Sequence, residues 1–312
     1  MKPTQMLLVA VLVGIGVLVG ACGMLVPPPA PIPAGGKIAF ASGRNFNNDI
    51  YRMNPDGTVQ ERLTQHAGDD SYPVWSPDRT RIAFISNRAG TNDIWVMQAD
   101  GSNQTNLTQS LSEDTYPAWS PDGNWIVFVS DRGGNLDLYV IQADGDLVLP
   151  LTEHPANDTD PAWSPDGTQI AFISDREGLP ALYTVRIALD ALAVQVADAA
   201  APVRVLGGDD FSLAAPAWSP DGTEFALTIE QQGVRDLAIV RADGSGLQRI
   251  SDGIASVFEP AWSPDGQELV FYSQRDPDRS TKIYRINRDG SNLTRLTDLS
   301  NPAGDFTPHW AW

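Results

Sequence analysis

"PVWSPD" at residues 73–78 returns as "PAWSPDG" at 117–123, 161–167, 216–222 and 260–266. Trp75, Trp119 and Trp163 stand 44 residues apart, and the following steps, to Trp218, Trp262 and Trp310, are 55, 44 and 48. A catalytic motif is needed once. A motif repeated at near-even intervals sets how a structural unit turns and packs. Within one unit, "PAWS" (117–120) reads as a first strand, A. The following "PDG" is turn chemistry: Pro pre-sets φ and Gly accepts φ > 0. "NWIVFVS" (124–130) is strand B, an apolar run that fits burial on both faces. "LDLYVIQ" (136–142) is strand C, "ADGD" (143–146) a hairpin turn of the Asp-Gly type, and "LVLPLT" (147–152) strand D.

Four strands in a repeat of about 40–45 residues are the signature of a β-propeller. Six B strands are legible, starting at Lys37, Arg81, Asn124, Gln169, Glu224 and Glu268, and "TPHWAW" (307–312) supplies the sixth A strand. The predicted fold is all-β, a six-bladed β-propeller over 37–312. The repeat begins on a B strand and ends on an A strand. The last A strand is therefore expected to join the first B, C and D strands, closing the ring and leaving no open sheet edge. The Trp of strand A is expected to pack between neighbouring blades. Arg79 replaces the turn Gly of the other copies and is strained if its backbone is left-handed. "IALDALAVQVADAAAPVRVL" (187–206) accounts for the long fourth interval and reads as an extended C–D hairpin, either a neutral insertion or a docking arm.

The composition, 42% hydrophobic and 19% charged over 312 residues, is that of a globular chain. A net charge of −18 disfavours nucleic acid and anionic lipid surfaces as partners. The first residues, "MKPTQMLLVAVLVGIGVLVGACGM", have Lys2, an apolar run and small residues just before the single cysteine. Residues 1–21 are read as a bacterial lipoprotein signal peptide with Cys22 as the lipid attachment site. The alternative is an uncleaved signal anchor, since Met6 to Val26 is long enough to span a bilayer. Residues 22–36, rich in proline, read as a semi-rigid tether. Gly23 follows the cysteine, where Asp would resemble an inner-membrane retention signal. The expected location is the outer membrane, facing the periplasm, in a two-membrane cell, or the outer leaflet of the plasma membrane in a one-membrane cell.

The stretch "DTYPAWSPDGNWIVFVSDRGGNLDLYVIQADG" (114–145) resembles the repeats of the TolB-type propeller family, related to WD-repeat propellers. The resemblance covers about 37–312 through the recurring "PxWSPDG…IAFxSxR" and is specific for fold rather than for activity. The protein from which the family takes its name carries a small α/β domain before the propeller, and peptidases with similar blades add an α/β-hydrolase domain. A propeller alone is expected here, so neither activity transfers with the likeness.

Binding usually resides in the longer loops, here the D–A and B–C connections of one face, and in the central channel opening there. Three residues before the strand-A proline stand Asp70, Asp114, Asp158, Leu213, Val257 and Asp305. At a matched position after strand B stand Arg88, Arg132, Arg176, Gln231, Arg275 and Arg44. One reading is a ring of Asp–Arg pairs binding loops together. The other is a polar channel mouth with an apolar sector at Leu213 and Val257, where Phe211, Phe258 and Phe306 anchor a peptide or protein. Arg275 would then be available to a ligand carboxylate unless Glu259 takes it. No cofactor is expected, with Ca2+ held by the channel carboxylates as an alternative. The sequence has no G-x-S-x-G, no H-E-x-x-H and no cluster of His with acids, and His66, His154 and His309 share no short motif. The leading expectation is a membrane-tethered binding or scaffold module of the cell envelope with a protein or peptide partner. The alternative is a hydrolase or lyase acting on a polymer at the channel mouth.

Overall fold

The computed structural model describes residues 36–311, apart from 146, 191–192, 197–200, 254 and 299. The signal peptide, Cys22 and nearly all of the tether lie outside the described residues. Every regular element among the described residues is a strand, and the strands form six antiparallel sheets. In blade 2, strands A to D are Asp70–Trp75, Arg81–Ser86, Asp93–Gln98 and Thr105–Asn106. In blade 1, the C-terminal strand Asp305–Trp310 pairs with Ile38–Ser42, followed by Asp49–Met53 and Glu61–Arg62. The expected clasp is therefore present, with Ile38 opposite Trp310 and Ser42 opposite Asp305.

Strand B explains the stacking. Its side chains alternate between faces, and both faces are covered: Ile38–Ser42 and Trp125–Ser130 are buried at every position. Ile82 and Phe84 join the core shared with blade 1, whereas Ala83 and Ile85 join the core shared with blade 3. Six such inter-blade cores follow one another round the ring, and the sixth unites blade 6 with blade 1 through Val270, Ile283, Phe40 and Trp310. Each motif tryptophan packs on the preceding blade, and the indoles of Trp119, Trp163 and Trp262 donate to a strand-A carbonyl there, each at 3.1 Å.

The rest of the repeated motif is a turn. The hydroxyls of Ser76, Ser120, Ser164, Ser219 and Ser263 donate to the Asp two residues on, at 2.5–2.6 Å. Each also accepts the amide five residues on, at 2.9–3.0 Å, where strand B begins. Arg79 has φ 62° and carries a left-handed strain of about 1 kcal/mol. In blade 4, strand C runs on through Ala181–Asp190 and pairs with Ala193–Val196 before Val203–Leu206 returns as strand D. The insertion is thus a hairpin extension of one blade.

One expectation is corrected. Strand A begins not at the motif proline but at the Asp three residues earlier, where Asp70, Asp114 and Asp158 pair with the last Ser of strand B. A β-bulge then interrupts the ladder, and the residue before the proline takes a left-handed backbone. Tyr72, Tyr116, Asp160, Ala215, Glu259 and Thr307 all have φ of 49–51°.

Candidate functional site: the central channel

Strand A is the innermost strand of each blade, so its bulge decides what faces the axis. The bulged residue leaves the ladder and its side chain enters the channel. In blade order the ring reads Thr307, Tyr72, Tyr116, Asp160, Ala215 and Glu259, all lining a cavity of about 520 Å³. One bulged amide reaches across to the neighbouring blade: the Tyr72 amide donates to the Thr307 hydroxyl at 3.3 Å. That bond joins blade 2 to blade 1. Beyond the proline, a second ring of Val74, Ala118, Ala162, Ala217, Ala261 and His309 continues the wall.

The first ring concentrates ionisable groups. The Tyr72 and Tyr116 rings meet edge to face with centroids 4.8 Å apart. Tyr72 and Glu259 approach across the axis closely enough for the hydroxyl to act on the carboxyl, although blade 1 stands between their blades. Burial pushes the Glu259 carboxyl up to about 8, the Asp160 charge adding to the rise and the Tyr72 hydroxyl opposing it. Burial likewise pushes Asp160 up to about 6, against the Ala215 amide and the Thr159 hydroxyl. The phenols of Tyr72, Tyr116 and Tyr272 are raised by burial and then by these charges. Burial holds His309 down to about 4, so its imidazole is neutral at pH 7, and its Nδ1 accepts the Trp75 amide at 3.4 Å. No Lys or Arg stands among the lining residues. Beside the first ring, Tyr272 stacks on Phe258 at 4.9 Å and meets Phe306 edge-on at 6.5 Å, with the Arg235 guanidinium 5.0 Å over Phe258.

This electrostatics has a measurable sign. Between about pH 4.5 and 8 the folded chain keeps the Glu259 proton that the unfolded chain has lost, so stability falls as pH rises through that window. Asp160 adds the same sign up to about pH 6. His309 acts oppositely: its folded form refuses a proton between about pH 6.5 and 4, and stability falls as pH drops through that range. Glu259→Gln is expected to be more stable than the natural chain at pH 8, by on the order of 2 kcal/mol because the channel wall is partly open to water. The advantage should vanish near pH 5. Paired thermal melts at the two pH values measure this, and an equal difference at both would contradict it.

The matched Asp and Arg residues take a different place. Asp70, Asp114, Asp158 and Asp305 are buried inside their own blades and do not line the channel. Each pairs with its own blade's Arg: Arg88 at 2.6 Å, Arg132 at 2.9 Å, Arg176 at 2.8 Å and Arg44 at 2.7 Å, respectively. The same guanidiniums donate to Ser86, Ser130, Ser174 and Ser42. They also lie 4.6–5.0 Å over Trp95, Tyr139, Tyr183 and Tyr51 of strand C. Every Arg thus ties strands A, B and C together. The carboxylates considered as Ca2+ ligands are each committed to a guanidinium, and no group of three or more His, Cys, Asp or Glu among the described residues is arranged to hold a metal.

The apolar sector expected at the mouth is also corrected. Leu213 and Val257 are buried in the cores of blades 4–5 and 5–6, because an apolar residue at the Asp position simply extends the inter-blade core. Phe211 is half-buried against the first of these cores. Arg275 is not available to a ligand carboxylate: both oxygens of Asp252 accept from it at 2.7 Å, and Glu259 points elsewhere, into the channel. His66 and His154 accept backbone amides two residues on within their own loops, at 3.1 Å each.

Sequence reasoning passed over the bulge ring. The signal was present as a variable column inside a constant motif: the residue before "P-x-W" reads Tyr, Tyr, Asp, Ala, Glu and Thr.

The comparisons with known proteins agree with this architecture. The family model described as TolB beta propeller domain matches residues 15–110, 89–148, 114–199 and 193–311. No curated protein matches the chain by sequence. Among solved structures, TolB from Acinetobacter baumannii is similar at 21% identity and a TM-score of 0.75, over 90% of this chain and 68% of that one. A candidate TolB from Agrobacterium tumefaciens is similar at 20% identity and 0.66, over 87% of this chain and 96% of that one. An oligogalacturonate lyase from Vibrio parahaemolyticus is similar at 15% identity and 0.58, over 85% of this chain and 75% of that one. At these identities the likeness is one of fold.

Proposed function

The chain belongs to the TolB beta-propeller family, and from that premise we propose that it is a protein- or peptide-binding module of the bacterial cell envelope, tethered through a lipid on Cys22. The observation that carries the reading is the central channel, a largely apolar and aromatic cavity lined from the bulge residues to the Ser-Pro of the A–B turns, together with the face where strand A begins. That face also carries the two most exposed large apolar side chains among the described residues, Phe46 in a B–C connection and Leu111 in a D–A connection. Exposed apolar groups on one face and a preformed concavity along the axis favour a macromolecular partner. The apolar run before Cys22 and the proline-rich stretch after it support an extracytoplasmic location on a short tether.

The lyase alternative gains less support. A uronate polymer is anionic, whereas this channel presents two carboxyls and no Lys or Arg along its wall.

Photo-crosslinking in intact cells tests the binding reading. A photoreactive residue at Phe46 or Leu111 is expected to capture a protein partner, and one at Thr105 or Gln248, exposed on the outer strand D of blades 2 and 5, is not. Capture from the outer strand alone, or equally from both places, would remove the assignment.

A further inference from the structure

The channel chemistry narrows what the site accepts. Two carboxyls from different blades, Asp160 and Glu259, enter one cavity beside the Tyr72 and Tyr116 rings. Neither is paired with a Lys or Arg of this chain, in contrast to the matched Asp residues a few ångströms outward, all of which are. An acid kept inside a desolvated cavity without a counter-charge is costly unless it is protonated or meets a cation from outside. Aromatic rings beside it attract the same kind of guest, because the ring face is electron-rich. A cavity of about 520 Å³ has room for a short alkyl chain bearing a charged head. The neutral His309 and the Ala-lined second ring leave an uncharged, mostly apolar bore for the alkyl part.

We propose that the channel is a receptor for an alkylammonium group, held between the Asp160 and Glu259 carboxyls and beside the Tyr72 and Tyr116 rings. This rests on the binding-module reading and deepens it. The ammonium is either a Lys side chain presented by the partner or a free amine, and the recognising chemistry is the same. An anionic guest is excluded, because the wall offers it no Lys or Arg to pair with.

Isothermal titration of the full chain tests the proposal without any partner protein, so its failure is separable from failure of the crosslinking experiment. The probes are n-butylammonium, spermidine and an end-blocked Gly-Lys-Gly peptide, with butyrate and CaCl2 as comparisons. The ammonium probes are expected to bind and butyrate is not. Glu259→Gln and Asp160→Asn, which keep side-chain shape, should each weaken binding by about tenfold or more while leaving the melting temperature at pH 7 unchanged or raised. Tyr116→Phe, which keeps the ring, should weaken it far less than Tyr116→Ala. Tighter binding of the peptide than of spermidine assigns the ammonium to a partner's Lys, and the reverse order assigns it to a free amine. The proposal is overturned by butyrate binding as well as n-butylammonium, by Ca2+ binding with no ammonium binding, by no binding at all, or by indifference to both carboxyl substitutions.

Discussion

A chain ended after Gly304 is expected to melt more than about 10 °C below the full protein, or to fail to fold. The deletion removes strand A of blade 1, whose pairing with Ile38–Ser42 is what closes the ring. Several losses coincide. Trp310 leaves the core between blades 6 and 1, and removing a buried tryptophan costs about 3–5 kcal/mol. Asp305 leaves Arg44 without its carboxylate. Ile38–Ser42 becomes an open edge, which invites pairing between copies. Domain stability is typically about 5–15 kcal/mol, so losses of this size are a large fraction of the whole. For a domain this large, about 2 °C of melting temperature corresponds to each kcal/mol. Circular dichroism melts, with light scattering to detect association, make the measurement. Melting within a couple of degrees of the full chain would show that closure contributes little.

The second large effect concerns the buried ion pairs. Asp70→Leu is expected to cost about 3–5 kcal/mol, because it strands Arg88 in a nearly closed site. Arg88→Gln alone should cost at least as much, since Asp70 is fully buried. The double variant should recover most of the loss and fall within about 1–2 kcal/mol of the natural chain. The protein has made this exchange itself in blade 5, where Leu213 and Gln231 occupy the two positions: Leu213 joins the inter-blade core and Gln231 bonds Asp210 at 2.7 Å. Urea denaturation of the four chains gives the coupling energy directly. Strict additivity of the two single effects would mean that Asp70 and Arg88 stabilise the blade independently.

How far each feature could be read beforehand follows from the range of the interaction behind it. Proline, Asp and Gly act within a few residues, so "SPD", followed by Gly in every copy but the one with Arg79, announced the A–B turn. The uninterrupted apolar run of strand B announced burial on both faces. The pairing of Asp70 with Arg88 was visible as two columns that vary together, although whether the pair faced the channel or the blade interior was not.

Blade number, ring closure and the position of the tryptophans follow from spacing and local turn chemistry, which the chain writes out in order. The channel chemistry does not. A left-handed Tyr, Asp, Glu or Thr has no local signature, because the conformation is imposed by the ladder on one side and the proline on the other. The meeting of Tyr72, Tyr116, Asp160 and Glu259 joins residues from four blades, and only the closed ring brings them to one axis. Their shifted proton affinities arise from desolvation in that shared space, a quantity no single repeat possesses.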